Sequence, residues 1–480
     1  MFSQCLEKFG EVGFVRKVLS GVVYVDGLPG VLLGEEVVFE NEEMGQVVVI
    51  SESEIEVMLL TTRAIKSGMK VARTGRKVGI EVGEALLGRV IDSLGRPLDH
   101  DQPITGKMER RVIDVEPAGI VGRKKISQRF LSGVMMVDLM IPMGKGQREL
   151  ILGDRKTGKS VLLLQAILSQ ARQGSVCIYN AIAKKKPDIL SIAEFLIAQG
   201  IMDKSVVVGA SSYDSPGEIF LSPYTAMTIA EYFRDKGRDV LVVMDDLSIH
   251  AKFYRELALV SGKFPGRNSY PGDIFYVHSR LLERAGNFDV AGKDVAITCL
   301  PVAETIQGDM TGYISTNLMS MTDGHVFFDG DYYFRGRRPA INTFLSVTRV
   351  GRQTQTPLQR DASRLLVDLM TSYERTQGFQ KFGAELGESS RQILAMGDRV
   401  LTFFDQPVWM VVPENMQLVL LSLLISGTWD GKGMEKIVDK YGKDSRVKTE
   451  ADAVVAGSQN MAKLIELCRS KVSLFIQPGK

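Results

Sequence analysis

The stretch that decides the fold reads Gly153-Asp154-Arg155-Lys156-Thr157-Gly158-Lys159-Ser160 and fits the pattern G-x-x-x-x-G-K-[ST] in full. An apolar run, Leu150-Ile151-Leu152, precedes it, and a helical pattern of apolar residues begins at Val161. A glycine-rich turn between a strand and a helix presents backbone N–H groups to phosphate oxygens, and the helix dipole adds positive charge. In such a loop Lys159 reaches the β- and γ-phosphates, and Ser160 offers its hydroxyl to Mg²⁺. The stretch therefore predicts a nucleotide site on an α/β domain; the alternative is a chance glycine turn.

A second element of the phosphate site is expected, namely a buried strand that ends in an acid orienting Mg²⁺. The apolar run Val240–Met244, followed by Asp245 and Asp246, supplies it. Asp245 comes directly after the run and is the predicted metal ligand together with Ser160. Asp246 is predicted to cap the helix that follows, and capping is also the alternative for Asp245. These residues predict a RecA-like domain that binds Mg-nucleotide, and they leave open whether hydrolysis follows.

The chain divides into three regions that differ in their pattern of apolar residues. From about Val12 to Ala72, short valine-rich runs are separated by turn signals such as Asp26-Gly27, which indicates a small β-barrel or sandwich. From roughly Val78 to Gln355, apolar runs alternate with helical patterns, as in βα units around a mostly parallel sheet. After Thr356, apolar residues recur at i, i+3 and i+4, as in a helical bundle. We therefore predict a β-barrel at residues 1–76, an α/β P-loop domain at 77–356 and an α-helical domain at 357–480.

Composition excludes several classes of protein. The 480 residues are 45% hydrophobic and 24% charged, as in an ordinary globular protein and unlike a disordered chain. Lys and Arg number 59 against 57 Asp and Glu, a net charge of +2 that gives no sign of a nucleic-acid partner. The most apolar run, Leu418–Ile425, is far shorter than the ~20 residues of a membrane span and predicts a core helix.

Cysteines and histidines give no sign of a further metal site. The four cysteines lie far apart without a C-x-x-C pair, so reduced thiols are predicted. The four histidines are scattered, with no pair at metal-ligand spacing, so no metal other than Mg²⁺ is expected. They are His100, His250, His278 and His325.

Several strings around the phosphate loop together resemble a known family. They are, in chain order, Gly88–Asp92, Val137–Leu150, Pro271–Arg284, Arg338–Asn342 and Leu345–Gly351. Their order and spacing resemble the α subunits of F-type ATP synthases from about Gly13 to Gly427. The resemblance implies a subunit that binds ATP or ADP with Mg²⁺ and takes part in coupling ATP synthesis to ion flow. It also implies an α₃β₃ ring with catalytic β subunits, a rotating γ shaft and a δ-type peripheral stalk.

Lys184 occupies the position that separates catalytic from non-catalytic subunits. The resemblance implies a glutamate there in β subunits, where it is the general base, and a glutamine in most α subunits. A lysine that is protonated at pH 7 cannot accept the proton of the attacking water. We therefore expect this chain to bind ATP without hydrolysing it at its own P-loop. Lys184 is then either a partner of the γ-phosphate or a solvated member of the run Lys184–Lys186.

The resemblance also assigns residues to an interface and to a base pocket. Arg349 matches the arginine that an α subunit extends into the neighbouring catalytic site, where it offsets transition-state charge. The alternative for Arg349 is a salt-bridged surface arginine. Ser320 matches a loop that lines the same interface, and Val408 replaces a glutamine of the base pocket, which predicts altered nucleotide preference or affinity. The residues that match adenine contacts are Arg338, Pro339 and Gln406.

Partners and location follow from the same resemblance. The segment before Gly13 is much shorter than the family's stalk-docking segment, so docking on the δ-type subunit is expected to differ. No targeting peptide is recognised at the N-terminus. We therefore expect a peripheral position on the cytoplasmic face of a bacterial inner membrane, or its equivalent in an organelle. Contact with the membrane is expected only through the rest of the complex.

Two alternatives of other classes remain. One is a self-contained, homohexameric P-loop motor ATPase of the secretion or Rho type. It needs a catalytic carboxylate in each chain, and Asp188 is the one nearby acid that could stand in at the position of Lys184. The other is a nucleotide-binding assembly protein, which the retention of Arg349 argues against, because a trans-acting arginine has no use without a catalytic neighbour.

Overall fold

A computed structural model describes residues 1–99, 103–381 and 387–476. They form two compact units, and each is described by itself. Unit 1 comprises Met1–Lys125, Gly174–Glu304 and Asp309–Thr322. Unit 2 comprises Ile126–Gln173, Thr305–Gly308 and Asp323–Lys480.

Strands and helices are numbered in chain order within the described ranges. The strands are β1 Gly13–Leu19, β2 Val22–Asp26, β3 Glu35–Phe39, β4 Met44–Ile50, β5 Ile55–Leu59, β6 Lys70–Lys77, β7 Gly79–Val82, β8 Val90–Ile91, β9 Glu109–Val112, β10 Arg129–Phe130, β11 Met143–Gly144, β12 Glu149–Gly153, β13 Val176–Lys184, β14 Ser205–Ser211, β15 Val240–Asp245, β16 Gly286–Val290, β17 Lys293–Glu304, β18 Gly324–Phe328 and β19 Val347–Thr348. The helices are α1 Phe2–Phe9, α2 Met135–Met140, α3 Lys159–Arg172, α4 Lys186–Ala198, α5 Pro216–Asp235, α6 Leu247–Val260, α7 Ile274–Leu282, α8 Tyr313–Met321, α9 Gly330–Phe334, α10 Pro357–Lys381, α11 Glu388–Phe404, α12 Glu414–Ile425, α13 Met434–Lys443, α14 Ser445–Ala456, α15 Met461–Ser470 and α16 Val472–Phe475.

Unit 1 begins with a closed six-stranded barrel in the order β1-β2-β5-β4-β3-β6. Every pairing in it is antiparallel. Because side chains alternate between the two faces of a strand, the valines of the short runs fill the interior, among them Val15, Val23 and Val57. Gly27 ends the β2 turn at φ 84°, and a Cβ there would lie 2.8 Å from the backbone oxygen of Val12. The predicted N-terminal β-barrel is therefore confirmed.

The second part of unit 1 is an α/β layer. Five strands run parallel in the order β17-β15-β13-β14-β8, and β16 joins β17 in the antiparallel sense. Helices α4 and α5 connect consecutive parallel strands, as βα units do. The register sets Ala181 on β13 opposite Asp245 on β15, so the carboxyl ends of these two strands lie side by side.

Unit 2 contains the phosphate-loop strand and the C-terminal helices. Strand β12 pairs with β18 in parallel, and β19 joins β18 in the antiparallel sense. Helices α10 to α16 follow without a further strand in the described residues, which confirms the predicted helical region. The run Leu418–Ile425 lies in α12 and is buried up to Leu424, as expected of a core helix. In the ranges that the structure covers, no helix combines the length and apolar character needed to cross a membrane.

Candidate functional site

The phosphate loop in unit 2 has the backbone that its glycines predict. Strand β12 ends at Gly153, with φ 151°, and Gly158, with φ 105°, precedes the first residue of α3. A Cβ on Gly153 would lie 2.5 Å from the backbone oxygen of Phe328, so a larger residue does not fit. The first turn of a helix leaves N–H groups without intrahelical partners. The loop thus brings the start of α3, at Lys159, to the end of a buried strand.

Side chains of the loop are held in place by short contacts within unit 2. The ammonium of Lys159 donates to the backbone oxygens of Gly153 and Asp154 at 2.7 and 2.5 Å. The carboxylate of Asp154 accepts from the hydroxyl of Thr305 at 2.5 Å and from the backbone of Gly308 at 3.0 Å. Ser160 is exposed, and its hydroxyl makes no hydrogen bond to the residues that the structure describes. Ser160 is therefore available to a ligand.

In unit 1, a three-residue contact surrounds the acid at the end of β15. The hydroxyl of Tyr179 donates to Oδ2 of Asp245 at 2.7 Å, and the ammonium of Lys184 donates to Oδ1 at 2.9 Å. Asp245 is 4% exposed, and the side chain of Lys184 is 25% exposed. Burial alone would lower the pKa of Lys184, but the charge of Asp245 and its hydrogen bond raise that pKa overall. Burial and the charge of Asp245 together raise the pKa of Tyr179 well above its usual range.

Lys184 differs from one of the two alternatives drawn from the sequence. It is not a solvated member of its run, because it is half-buried and forms an ion pair with Asp245. Its pairing with a γ-phosphate stays a prediction. The sequence could not show the ion pair, because Lys184 and Asp245 are 61 residues apart and meet only through the pairing of β13 with β15.

The neighbouring acids have separate roles. Asp246 caps α6, since its carboxylate accepts from the backbone N–H of Ile249 at 2.7 Å, as predicted. Burial, with the charges of Asp245 and Glu304, raises the pKa of Asp246 to about 7. Asp188 lies in the first turn of α4 and is exposed.

Ser160 and Asp245 are the predicted magnesium ligands, and each offers oxygen, the ligand atom that Mg²⁺ prefers. Each carboxylate oxygen of Asp245 accepts one hydrogen bond, from Tyr179 or from Lys184. A carboxylate oxygen has a second lone pair, so the metal role of Asp245 stays a prediction. Among the residues described, no three His, Cys, Asp or Glu side chains form a group suited to a metal ion.

The two predicted interface residues are both exposed. Arg349 follows β19 in unit 2, and its backbone N–H donates to the backbone oxygen of Asp323 at 3.0 Å. Its guanidinium makes no ion pair with the described residues, so the salt-bridged alternative is not observed. Ser320 lies near the end of α8 in unit 1, where its hydroxyl donates to the backbone oxygen of Asn317 at 2.7 Å.

The predicted adenine contacts differ in exposure and in their internal hydrogen bonds. Arg338 is exposed, stacks over the ring of Tyr333 at 3.8 Å and precedes Pro339 through a cis peptide bond. The side chain of Gln406 links two segments of unit 2 by hydrogen bonds. Its side-chain nitrogen donates to the backbone oxygens of Gly133 and Met410, and its oxygen accepts from the backbone of Met135. Both amide hydrogens of Gln406 are thus committed to the protein.

A histidine pair in unit 1 was missed at the sequence level. Nδ1 of His250 lies 3.1 Å from Nε2 of His278, and Nε2 of His250 lies 3.0 Å from the backbone oxygen of Phe220. The carbonyl requires a proton on His250 Nε2, so neutral His278 donates to His250 Nδ1. Burial lowers the pKa of His250 to about 4 and that of His278 well below its usual range. The two residues are 28 positions apart, and His100 lies outside the described residues.

Comparisons with known proteins agree with the loop and the fold. A family model described as the ATP synthase alpha/beta family, nucleotide-binding domain, matches residues 133–348. The ATP synthase subunit alpha of Clostridium acetobutylicum is 38% identical over 415 residues. That similarity covers 86% of this chain and 82% of the relative.

Proposed function

The chain belongs to the ATP synthase alpha/beta family as an α subunit, and from this premise we propose that it binds ATP or ADP without hydrolysing it. We also propose that it supplies Arg349 to the catalytic site of a neighbouring β subunit. Nucleotide binding itself agrees with the matched nucleotide-binding domain, which includes the whole phosphate loop. The exposed hydroxyl of Ser160 and the buried ammonium of Lys159 are the groups that would meet the phosphates.

The ion pair of Lys184 with Asp245 carries the non-catalytic part of the proposal. Hydrolysis needs a base that orients water and accepts its proton. Lys184 is held protonated by Asp245, because the raised pKa removes any basic character at neutral pH. Asp188 lies in the first turn of α4 and is exposed, and it forms no ion pair with the described residues that would orient it for this role. The self-contained motor ATPase thus has no support from these residues.

The surroundings of Arg349 support its role in trans. An arginine that offsets charge in another subunit needs a guanidinium that is not held in an ion pair, and the exposed guanidinium of Arg349 forms none with the described residues. Apolar side chains just before it are exposed by 39% to 47%, which is typical of a surface that a partner covers. They are Phe344, Leu345 and Val347. The exposed Ser320 is proposed to line the same kind of interface.

The assembly is proposed on the same grounds. The chain would alternate with β subunits in an α₃β₃ ring around a γ shaft and meet a δ-type stalk, as a peripheral part of an enzyme that couples ATP synthesis to ion flow. We place the complex at the cytoplasmic face of a bacterial inner membrane or in an organelle. The β-barrel, P-loop and helical domains are proposed to end near residues 76, 356 and 480.

The test is ATP hydrolysis by the chain alone and by the complex reconstituted with its β and γ partners. The isolated chain is expected to bind ATP and to release no phosphate. The complex is expected to hydrolyse ATP, and Arg349→Ala is expected to reduce this rate by about 10³-fold or more, as for arginine fingers in other nucleotidases. If the chain alone hydrolyses ATP and Lys159→Ala abolishes that activity, the non-catalytic assignment fails.

A further inference from the structure

We propose that the base of a nucleotide bound at the phosphate loop stacks on Trp409, so that the site accepts adenine and guanine alike. The inference rests on the proposed nucleotide binding and deepens it, because it names the side chain that holds the base. It also names the ligand class that follows, a purine nucleotide of either kind. The residues that carry the argument all belong to unit 2.

The two tryptophans of the chain have opposite surroundings. Trp429 is 6% exposed, lies edge-on to the ring of Phe403, and donates its indole N–H to the backbone oxygen of Lys432 at 2.8 Å. Trp409 is 59% exposed, and no described residue makes a ring contact or a hydrogen bond with its indole. A large aromatic surface left in water is typical of a place where a ligand or a partner stacks.

The turn that carries Trp409 is attached to the helix of the phosphate loop. The side-chain nitrogen of Gln165 in α3 donates to the backbone oxygen of Met410 at 2.9 Å, and Gln165 is buried. Gln165 comes six residues after Lys159, the first residue of α3, which is about 9 Å along the helix axis. The turn therefore lies beside the first two turns of α3. A nucleotide whose phosphates meet the start of that helix can reach it with its base.

Further hydrogen bonds hold the same turn in place. The side-chain nitrogen of Gln406 donates to the backbone oxygen of Met410, and the backbone N–H of Met410 donates to Pro407 at 3.0 Å. Met410 is 7% exposed, so the residue next to Trp409 is buried. Because the turn is already ordered, binding of a base to the indole costs little conformational entropy.

The residues around Trp409 do not favour one purine over the other. Stacking is tolerant of base identity, since every base has a π face. Specific recognition needs polar groups directed at the edge of the base, but both amide hydrogens of Gln406 are bound to backbone oxygens. Val408 carries only an apolar side chain. No side-chain amide in this turn is left to pair with one purine and reject the other.

A second exposed aromatic residue lies near the phosphate loop. Phe334 in α9 is 87% exposed, and α9 approaches the loop, since a Cβ on Gly330 would lie 3.4 Å from Oδ2 of Asp154. The ring of Phe334 packs edge-on to that of Tyr333, with centroids 5.9 Å apart. Trp409 is the better platform, because indole has the larger π surface and its turn is bonded directly to α3. Phe334 is therefore the competitor that the experiment has to separate.

The first experiment follows the fluorescence of Trp409 in the full chain with Trp429→Phe, which leaves a single indole. It is titrated with ATP, GTP and inorganic tripolyphosphate, each with Mg²⁺. Both nucleotides are expected to quench the emission, with dissociation constants that agree within about threefold. Tripolyphosphate, which has no base, is expected to bind without quenching. Saturation by ATP without quenching, or a difference above about tenfold between ATP and GTP, would overturn the proposal.

Isothermal titration gives a second readout that does not require Trp429→Phe to fold. Trp409→Leu is expected to weaken binding of ATP and of GTP by about 5- to 100-fold, the range of base–aromatic stacking, and to leave tripolyphosphate binding unchanged. Phe379→Leu is the matched control, since Phe379 is an aromatic residue of unit 2 that is 52% exposed on α10, and it is expected to bind as wild type. A loss of ATP affinity in Phe334→Leu with none in Trp409→Leu would overturn the proposal and assign the base to α9.

Failure of this inference is distinguishable from failure of the proposed function. ATP that binds Trp409→Leu as tightly as the wild type overturns the stacking on Trp409 and leaves nucleotide binding intact. Absence of binding of both ATP and tripolyphosphate to the wild type overturns the proposed nucleotide binding, and this inference with it.

Discussion

The acid at the end of β15 in unit 1 is hydrogen-bonded within the protein, whereas two exposed polar side chains of unit 2 are not, within the described residues. At the end of β15, Asp245 is satisfied on both oxygens by Tyr179 and Lys184. In unit 2, the hydroxyl of Ser160 and the guanidinium of Arg349 are exposed and have no such partner among the described residues. Asp245 is thus bound within its own unit, whereas Ser160 and Arg349 are accessible to a ligand or a neighbour. Lys159 of the loop is intermediate, since its ammonium donates to backbone oxygens and is still expected to bind phosphate.

This difference gives an expectation for each region. Substitutions at exposed groups of unit 2 should reduce function and leave stability unchanged. Substitutions at internally paired groups should change stability and its pH dependence.

Arg349→Lys in the reconstituted complex is expected to have the largest effect. Lysine keeps the charge but loses the planar fork that matches phosphate oxygens, so ATP turnover should fall by about 100-fold or more. The urea midpoint of the isolated chain should not change, since Arg349 forms no ion pair with the described residues. Arg352→Lys is the control, because Arg352 is also exposed and lies three residues on. A lower urea midpoint with normal turnover would make Arg349 a structural residue.

Lys159→Ala is expected to weaken ATP binding by about 10- to 100-fold. Hydrogen bonds to charged groups contribute about 1.5–3 kcal/mol, and Lys159 is the buried cation of the phosphate loop. Isothermal titration of the full chain with ATP measures the change. Lys156→Gln is the matched control in the same loop, since Lys156 is exposed. Equal losses for both variants would show a general effect of positive charge and no specific role for Lys159.

Sequence reasoning succeeded where the signal is local. The signals lie within a few neighbouring residues in each case: the valine-rich run Val22–Val25, the glycines of the phosphate loop and the apolar run Leu418–Ile425. Their strands and helices are found where they were predicted. The helix N-cap formed by Asp246 could be predicted for the same reason, since its partner Ile249 is three residues away.

Sequence reasoning could not find contacts that depend on strand register or on tertiary packing. Lys184 reaches Asp245 only because β13 and β15 pair in one particular register. The pairing of His250 with His278 depends on the packing of α6 and α7, and no spacing rule for a metal site would find it. Gln406 matched a base contact in the sequence, but the position of Gly133 and Met135 gives it internal partners.

The histidine pair predicts the acid sensitivity of unit 1. His250 and His278 stay neutral in the folded chain, with lowered pKa values, while both bind protons in the unfolded chain near pH 6.5. The unfolded state therefore binds more protons as the pH falls from about 6.5 to 4, and stability is lost in that range. Each histidine contributes up to about 1.4 kcal/mol per pH unit.

The measurement is the urea midpoint of the chain between pH 7 and pH 4. We expect His278→Gln to flatten its pH dependence more than His325→Gln does. The pKa of His325 in unit 2 is also lowered by burial, but its hydrogen bond to the backbone oxygen of Leu345 opposes that shift. Equal flattening by the two variants would contradict the special role of the buried pair.

Of these substitutions, Gln406→Leu is expected to have the smallest effect. It tests, within unit 2, whether a side chain with internal hydrogen-bond partners serves stability and not ligand binding. Three backbone groups would lose their side-chain partner, namely the carbonyls of Gly133 and Met410 and the N–H of Met135. Leaving such groups unsatisfied costs about 1–3 kcal/mol, partly recovered where water can enter. The urea midpoint should therefore fall, while the ratio of ATP to GTP affinity stays within about twofold. An unchanged midpoint with a changed ratio would make Gln406 a base contact, and an internally paired group would then still serve a ligand.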